Sequence, residues 1–202
     1  MSANGAISRA WALARNFRRV RNALSTLASL HSGDGVQDAM GGLTGEETAA
    51  LVRWAAEEGR DVVEIGALFG MTTRELARAL PEGRRVFAVD NFSWNPFGLP
   101  ARSHEAFTRR ILAPELASGK VVLVNGDSEG FLGSVDPGVF LFLDGDHRYE
   151  AVKREIGLAL AAGVRVVAGH DYGNALFGVT RAVDEAFGRP DETAGMCWIK
   201  RL

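Results

Sequence analysis

From residue 61 onward the chain alternates between two patterns. Short apolar runs occupy Asp61–Ile65, Arg85–Asp90, Lys120–Asn125, Val139–Asp144 and Arg165–Gly169. Several are apolar at successive positions, as a strand needs when helices cover both of its faces. Between them, apolar residues recur at helical spacing over Thr72–Leu80, Ser103–Ala113 and Tyr149–Ala162, with Gly163 placed as a C-terminal helix stop. A further helix is expected over Val179–Phe187, then a last strand near Met196–Lys200. Upstream, Thr44 and Glu47 make a Thr-x-x-Glu capping box ahead of Leu51, Val52 and Ala55, which predicts a helix from about Gly45 to Glu58. Alternation of this kind predicts an α/β fold, a doubly wound sheet with helices on both faces and right-handed crossovers.

The first 30 residues follow a different rule. They contain no acid but carry Arg9, Arg15, Arg18, Arg19 and Arg21, while Leu13, Phe17, Val20, Leu24 and Leu27 form one apolar stripe. This reads as a basic amphipathic helix of the mature protein, although arginine-rich, acid-free segments also serve as transit peptides. A glycine-rich loop, His31 to Gly42, follows. The chain thus divides into an N-terminal helical extension, residues 1–42, and a main domain, residues 43–202. The stripe needs a partner, and a second copy in a homodimer is one.

Composition narrows the picture a little. A net charge of −2 over 202 residues gives no global electrostatic case for nucleic acid or a membrane surface. No apolar run approaches the ~20 residues that span a bilayer. The single cysteine, Cys197, allows neither an intrachain disulfide nor a thiolate zinc site, and suits a reducing, cytoplasmic setting.

In open α/β sheets the ligand lies beyond the carboxyl ends of the strands. An acid stands at or beside every such end here: Glu64-Ile65-Gly66, Asp90-Asn91, Gly126-Asp127-Ser128, Asp144-Gly145-Asp146-His147 and His170-Asp171-Tyr172. Turns favour aspartate, but five acids along one edge point to a ligand site. The first turn, Gly66-Ala67-Leu68-Phe69-Gly70-Met71-Thr72-Thr73, has Gly-x-x-x-Gly spacing. It lacks the Gly-x-Gly-x-x-Gly of a dinucleotide site, and Glu64 just before it suits a cationic amino group better than a pyrophosphate. The glycine pair alone is a weak signal and is also met in simple strand-to-helix packing. Asp90 can accept both hydroxyls of a ribose. Asp127 and Ser128 can meet an adenine edge or merely cap a helix. His147 follows its acids on the ligand edge and is a site candidate. His104, beside an expected cap at Ser103, reads as structural or exposed. The loop Phe92–Pro100 either covers a substrate or packs as a connector, with Tyr172 to Phe177 as the opposite wall.

These residues carry a resemblance. Val63-Glu64-Ile65-Gly66 with Gly70 and Thr72-Thr73 resembles motif I of class I S-adenosylmethionine (SAM)-dependent methyltransferases. Leu143-Asp144-Gly145-Asp146-His147-Arg148-Tyr149-Glu150, Gly169-His170-Asp171-Tyr172-Gly173 and Gly178 to Glu185 are similar to a small bacterial group related to macrocin-type sugar O-methyltransferases. The resemblance covers about Leu43 to Leu202. It implies a Rossmann-like, mostly parallel sheet with a reversed final strand, and SAM bound by Glu64, Gly66, Ala67, Leu68, Gly70, Thr72, Thr73, Asp90, Asn91, Asp127, Ser128 and Asp144. In many members it also implies a divalent metal, which maps onto Asp144 and Asp171. His170 stands where those enzymes usually carry an acid. Magnesium prefers oxygen ligands, whereas imidazole suits manganese, iron or zinc. His170 is thus either a third metal ligand or a base.

The function implied is methyl transfer to a hydroxyl of a small molecule or sugar, with His147, Asp144 and His170 catalytic. Two rivals exist: a nicotinamide-dependent oxidoreductase, and a non-catalytic SAM-binding subunit. The latter is suggested by how little chain after Phe187 is left for a terminal hairpin.

Overall fold

The computed structural model describes residues 42–202. The expectations for the basic stripe, its arginines and the loop before Gly42 lie outside the described residues.

Helix α1 spans Gly45–Glu58. Thr44 accepts the Glu47 amide and the Glu47 carboxylate accepts the Thr44 amide, so the capping box is made in both directions. Gly59, in the left-handed region, stops the helix. There follow β1 (Val62–Ile65), α2 (Met71–Ala79), β2 (Val86–Asp90), α3 (Ala101–Ile111), α4 (Ala113–Ala117) and β3 (Val121–Asn125). Then come α5 (Ser128–Leu132), β4 (Phe140–Leu143), α6 (Tyr149–Ala161), β5 (Val166–Gly169), α7 (Val179–Phe187), β6 (Glu192–Ala194) and β7 (Cys197–Arg201).

The strands form one seven-stranded sheet in the order β3-β2-β1-β4-β5-β7-β6. β1 to β5 are parallel; β7 runs antiparallel to β5, and β6 antiparallel to β7. The apolar alternation now has its cause. Val62, Phe140 and Phe142 enter a core beneath α1, α2 and α4, with Trp54, Leu76 and Leu112. Val63, Ile65, Leu141 and Leu143 enter the other, beneath α5 to α7, with Leu132, Ile156 and Val183. Successive residues serve opposite layers because strand side chains alternate faces. Each fully buried large side chain contributes about 1.5–3 kcal/mol.

Register carries this order to the ligand edge. Ile65 pairs with both Val89 and Leu143, and Leu143 pairs with Gly169. The residues that follow, Gly66, Asp90, Asp144 and His170, are therefore set side by side.

Two expectations need correction. The expected helix Ser103–Ala113 begins earlier, at Ala101 after Pro100, so Ser103 is no cap; the run continues as α4, with Pro114 in its first turn. The tail after Phe187 does hold a terminal hairpin, β6–β7, closed by Gly195 and Met196. Its first strand has only three residues and no buried one, so it leaves no apolar pattern. The short helix α5 is marked in the sequence only by its cap at Asp127. Among the described residues no helix is long and apolar enough to cross a membrane.

Candidate active site

A cavity of about 820 Å³ follows the carboxyl ends of the parallel strands, within the range of small-molecule sites. On the β1–β2 side the turn after β1 shapes it. Gly66 has φ +90°, and a Cβ there would lie 2.3 Å from the Asp144 carbonyl oxygen. Only glycine lets β1 and β4 end this close together. Gly70 (φ +80°) opens α2, with Leu112 filling the space its side chain would need. Gly66, Ala67, Leu68 and Thr72 line the cavity; Gly70 does not.

Asp90 holds this turn. Its carboxylate accepts the Leu68 amide at 2.8 Å and the Phe92 amide at 2.6 Å. It also faces the cavity, as does Asn91, and a carboxylate retains further lone pairs for a ligand hydroxyl. Both Leu68 (φ 48°) and Phe92 (φ 56°) adopt left-handed backbone, which those bonds help to hold. His104, expected to be structural or exposed, is fully buried. Its two ring nitrogens face the Leu68 carbonyl at 2.8 Å and the Phe92 carbonyl at 3.3 Å, and Thr108 Oγ1 donates to the same Leu68 oxygen at 2.7 Å.

Glu64 and Thr73 turn away from the cavity. Thr73 Oγ1 donates to the Glu64 carboxylate in a short buried bond, and neither residue lines the open space. Burial pushes the Glu64 carboxyl up to about 8, against the opposing pull of the Thr73 bond. Asp127 is exposed and caps α5 through the Gly130 amide at 2.7 Å, whereas Ser128 lines the cavity.

The β4–β5 side gathers charge. His147 Nδ1 lies 3.0 Å from Asp171 Oδ2. His170 Nδ1 stands 3.6 Å from Asp144 Oδ1 and 3.5 Å from Asp171 Oδ2. Asp171 has φ 61°, a strained position for a residue with a side chain, and also accepts the Asn174 amide nitrogen at 2.8 Å. Burial favours a neutral imidazole at His170, but the flanking Asp144 and Asp171 outweigh it and push the group up to about 10. Burial likewise acts to raise Asp171, yet its contacts with His170 and Asn174 hold it below the usual carboxylate range. His170 Nε2 approaches Glu47 Oε1 at 3.4 Å without the alignment of a hydrogen bond and has no such partner.

Asp144, His147 and Asp171 each bring one ligand atom within 4.8 Å of one another. Two oxygens and one imidazole nitrogen fit a divalent ion that tolerates nitrogen, manganese, iron or zinc before magnesium. The cluster thus has His147 where the sequence reading put His170. His170 sits between the two carboxylates as their counter-charge.

The loop Phe92–Pro100 packs on the turn after β1 and borders the cavity. Phe97 packs on Phe69 with ring centroids 5.6 Å apart, and Leu99 joins that cluster. Ser93 and Trp94 line the cavity, the Trp94 side chain standing 69% exposed at its mouth. Opposite, Phe177 stacks on the His147 ring at 4.8 Å; Tyr172 faces elsewhere, donating to Asp184.

Sequence reasoning missed Glu47 and Glu155. Glu155 is a lone acid on the buried face of α6 between Val152 and Ile156, a signal present in the helical spacing. Glu47 reaches the site only because α1 packs there, and nothing in its spacing shows that.

The family model described as a methyltransferase domain matches residues 63–172, more than half of the chain. No curated protein matches it by sequence. Among solved structures, an O-methyltransferase from Bacillus cereus in complex with SAH is 17% identical, with 89% of each chain covered and a TM-score of 0.60. The O-methyltransferase TomG from Streptomyces achromogenes, involved in tomaymycin synthesis and solved with SAM, is 21% identical, with 89% of each chain covered and a TM-score of 0.59. CalS11, a TDP-rhamnose 3'-O-methyltransferase of calicheamicin biosynthesis, is 21% identical, with 76% of each chain covered and a TM-score of 0.54. At such identities the likeness speaks for the fold, and the matched residues run from within β1, through the glycine turn and Asp90, to the residue after Asp171. The chain belongs to the methyltransferase-domain family.

Proposed function

We propose that this protein transfers a methyl group from SAM to a hydroxyl of a small molecule or sugar, with His147 as the base. The observation that carries this reading is the His147–Asp171 pair, which faces the same cavity as the glycine turn and Asp90. Asp90 receives the ribose, and the turn at Gly66 to Leu68 lies against the amino-acid portion. Glu64 acts from beneath, through Thr73 and the shape of the turn.

With Nδ1 donating to Asp171, His147 presents Nε2 as an acceptor. The acceptor hydroxyl loses its proton to Nε2 as its oxygen takes the methyl group from the sulfonium. The S–CH3 bond breaks, the O–CH3 bond forms, and a neutral thioether leaves. Asp171 stabilises the imidazolium so formed, and His170 keeps Asp144 and Asp171 in place. Alignment of donor and acceptor contributes on the order of 7–11 kcal/mol to such a displacement, and the base about 10²–10⁴-fold.

The Asp144, His147 and Asp171 cluster favours a second reading. A divalent ion held there would lower the hydroxyl's pKa and orient its lone pair. His147 then serves as ligand instead of base. Methyl transfer to an acceptor panel, with and without EDTA and after manganese add-back, separates the two. Full turnover in chelator supports the base; loss and recovery support the metal. Absence of SAM binding, or binding of NADH instead, would overturn both. The likeness to TomG and CalS11, both O-methyltransferases, supports an oxygen acceptor.

The sequence supports two further parts of this reading, a cytoplasmic location and a homodimer held through residues 7–30. Light scattering on the chain without residues 1–30 tests the dimer; an unchanged mass counts against it.

A further inference from the structure

This inference rests on the donor reading above, which puts the ribose at Asp90 and the reacting sulfur beside Asp144 and His147. The base of the nucleoside then extends toward β3. Ser128, opening α5 after β3, lines the cavity at that end, and Asp146, following β4, lines it within reach of Glu155. Glu155, in the second turn of α6, lines the cavity with them while only 4% exposed. Its helix neighbours on that face, Val152, Ile156 and Ala159, are buried and apolar. A purely packing role is better met by an apolar residue, because a buried carboxyl carries a desolvation cost. Nearby cations are already engaged: Arg154 pairs with Glu129, and Arg148 with Asp146. Among the described residues no ion pair reaches Glu155.

We propose that Glu155 recognises the adenine of the donor, its carboxyl accepting from the 6-amino group and donating its own proton to the adjacent ring nitrogen. A carboxylic acid offers a donor and an acceptor side by side, and adenine presents the complementary pair. A carboxylate keeps only the accepting half. Burial favours the acid and pushes the group up to about 7. The Ser128 hydroxyl draws it back, Asp146 and Glu129 raise it, and Arg154 lowers it. Glu155 thus gains its proton as pH falls toward neutrality, and the donated bond is lost as pH rises above it.

Calorimetric titration with S-adenosylhomocysteine at pH 6 and pH 8.5 tests this. Wild-type affinity should fall about 3- to 10-fold between the two, the size of one neutral hydrogen bond. Glu155→Gln, neutral with both a donor and an acceptor, should hold the pH 6 affinity at both pH values. Glu155→Ala should bind about 10-fold more weakly at pH 6, with melting curves confirming that it is folded. A fall in Glu155→Gln as steep as in wild type overturns the proposal, as does wild-type affinity in Glu155→Ala. Wild-type protein that takes up no S-adenosylhomocysteine at either pH overturns the donor reading itself, and this proposal with it.

Discussion

On the β1–β2 side of the cavity the acids serve the chain itself. Glu64 takes the Thr73 hydroxyl, and Asp90 takes the amides of Leu68 and Phe92. On the β4–β5 side Asp144 and Asp171 face two imidazoles, His147 and His170, with few backbone groups among their partners. The first side is a shaped backbone pinned by the Asp90 carboxylate, with Glu64 buried against Thr73 beneath it. The second is a charge cluster in which imidazoles and carboxylates set one another's protonation. A ligand half held by backbone tolerates little change in shape; a chemical half held by charge tolerates little change in ionisation. Substitutions on the two sides should therefore fail in different measurements.

The largest effect is expected on the charged side. His147→Ala and Asp171→Asn should each lower turnover by about 10²–10⁴-fold with donor affinity nearly intact. The double variant should be no worse than the more impaired single, because the pair acts as a unit. Steady-state kinetics beside calorimetry checks this, and multiplying losses would break the pairing. Next comes Gly66→Ala. A methyl group 2.3 Å from a backbone oxygen, at φ +90°, forces β1 and β4 apart. Urea denaturation should show a loss of about 2–4 kcal/mol. A folded variant of unchanged midpoint would mean that the two strand ends are loosely joined.

Asp90→Ala should cost about 1.5–3 kcal/mol of donor binding while turnover at saturating donor changes less. If turnover at saturation falls as far as it does for His147→Ala, the two sides are not separable. The last comparison concerns Glu64 and is read from a slope with pH. Its carboxyl is raised to about 8 in the folded chain from an ordinary 4.5. The folded state therefore binds more protons than the unfolded state between those values. Stability from this group is full below about 4.5 and declines as pH rises to about 8, by at most ~1.4 kcal/mol per pH unit. Glu64→Gln, which can still accept from Thr73, should show a shallower fall in urea midpoint between pH 5 and 8. Parallel curves would show that Glu64 is ionised in the folded protein.

Much of the architecture was legible because it rests on local rules. Val62 to Ile65 and Phe140 to Leu143 are apolar at every position but one, which only a strand covered on both faces requires. Thr44 and Glu47 announced α1 by a contact three residues long. The strand β6, which escaped notice, and the helix α5, marked only by its cap, are short and largely exposed, so no apolar period marks them.

For the site, the sequence by itself determined the edge of the sheet along which the cavity lies. Parallel strands in register bring their carboxyl ends to one line, and Asp90, Asp144 and Asp171 border one cavity there. It also determined the family, through residues that surround Gly66 and Asp144. Which way each side chain turns was decided only by the tertiary structure. Glu64 points into the sheet face toward Thr73 while its neighbours Gly66 and Leu68 border the cavity. His147 reaches Asp171, and His170 lies between the carboxylates, although both histidines follow a strand end. His104 is drawn inward by carbonyls 12 and 36 residues away. Strand alternation sets direction only while the strand lasts. Beyond it the left-handed turns at Gly66, Leu68, Phe92 and Asp171 redirect the chain, and those angles are held by contacts between residues far apart in sequence.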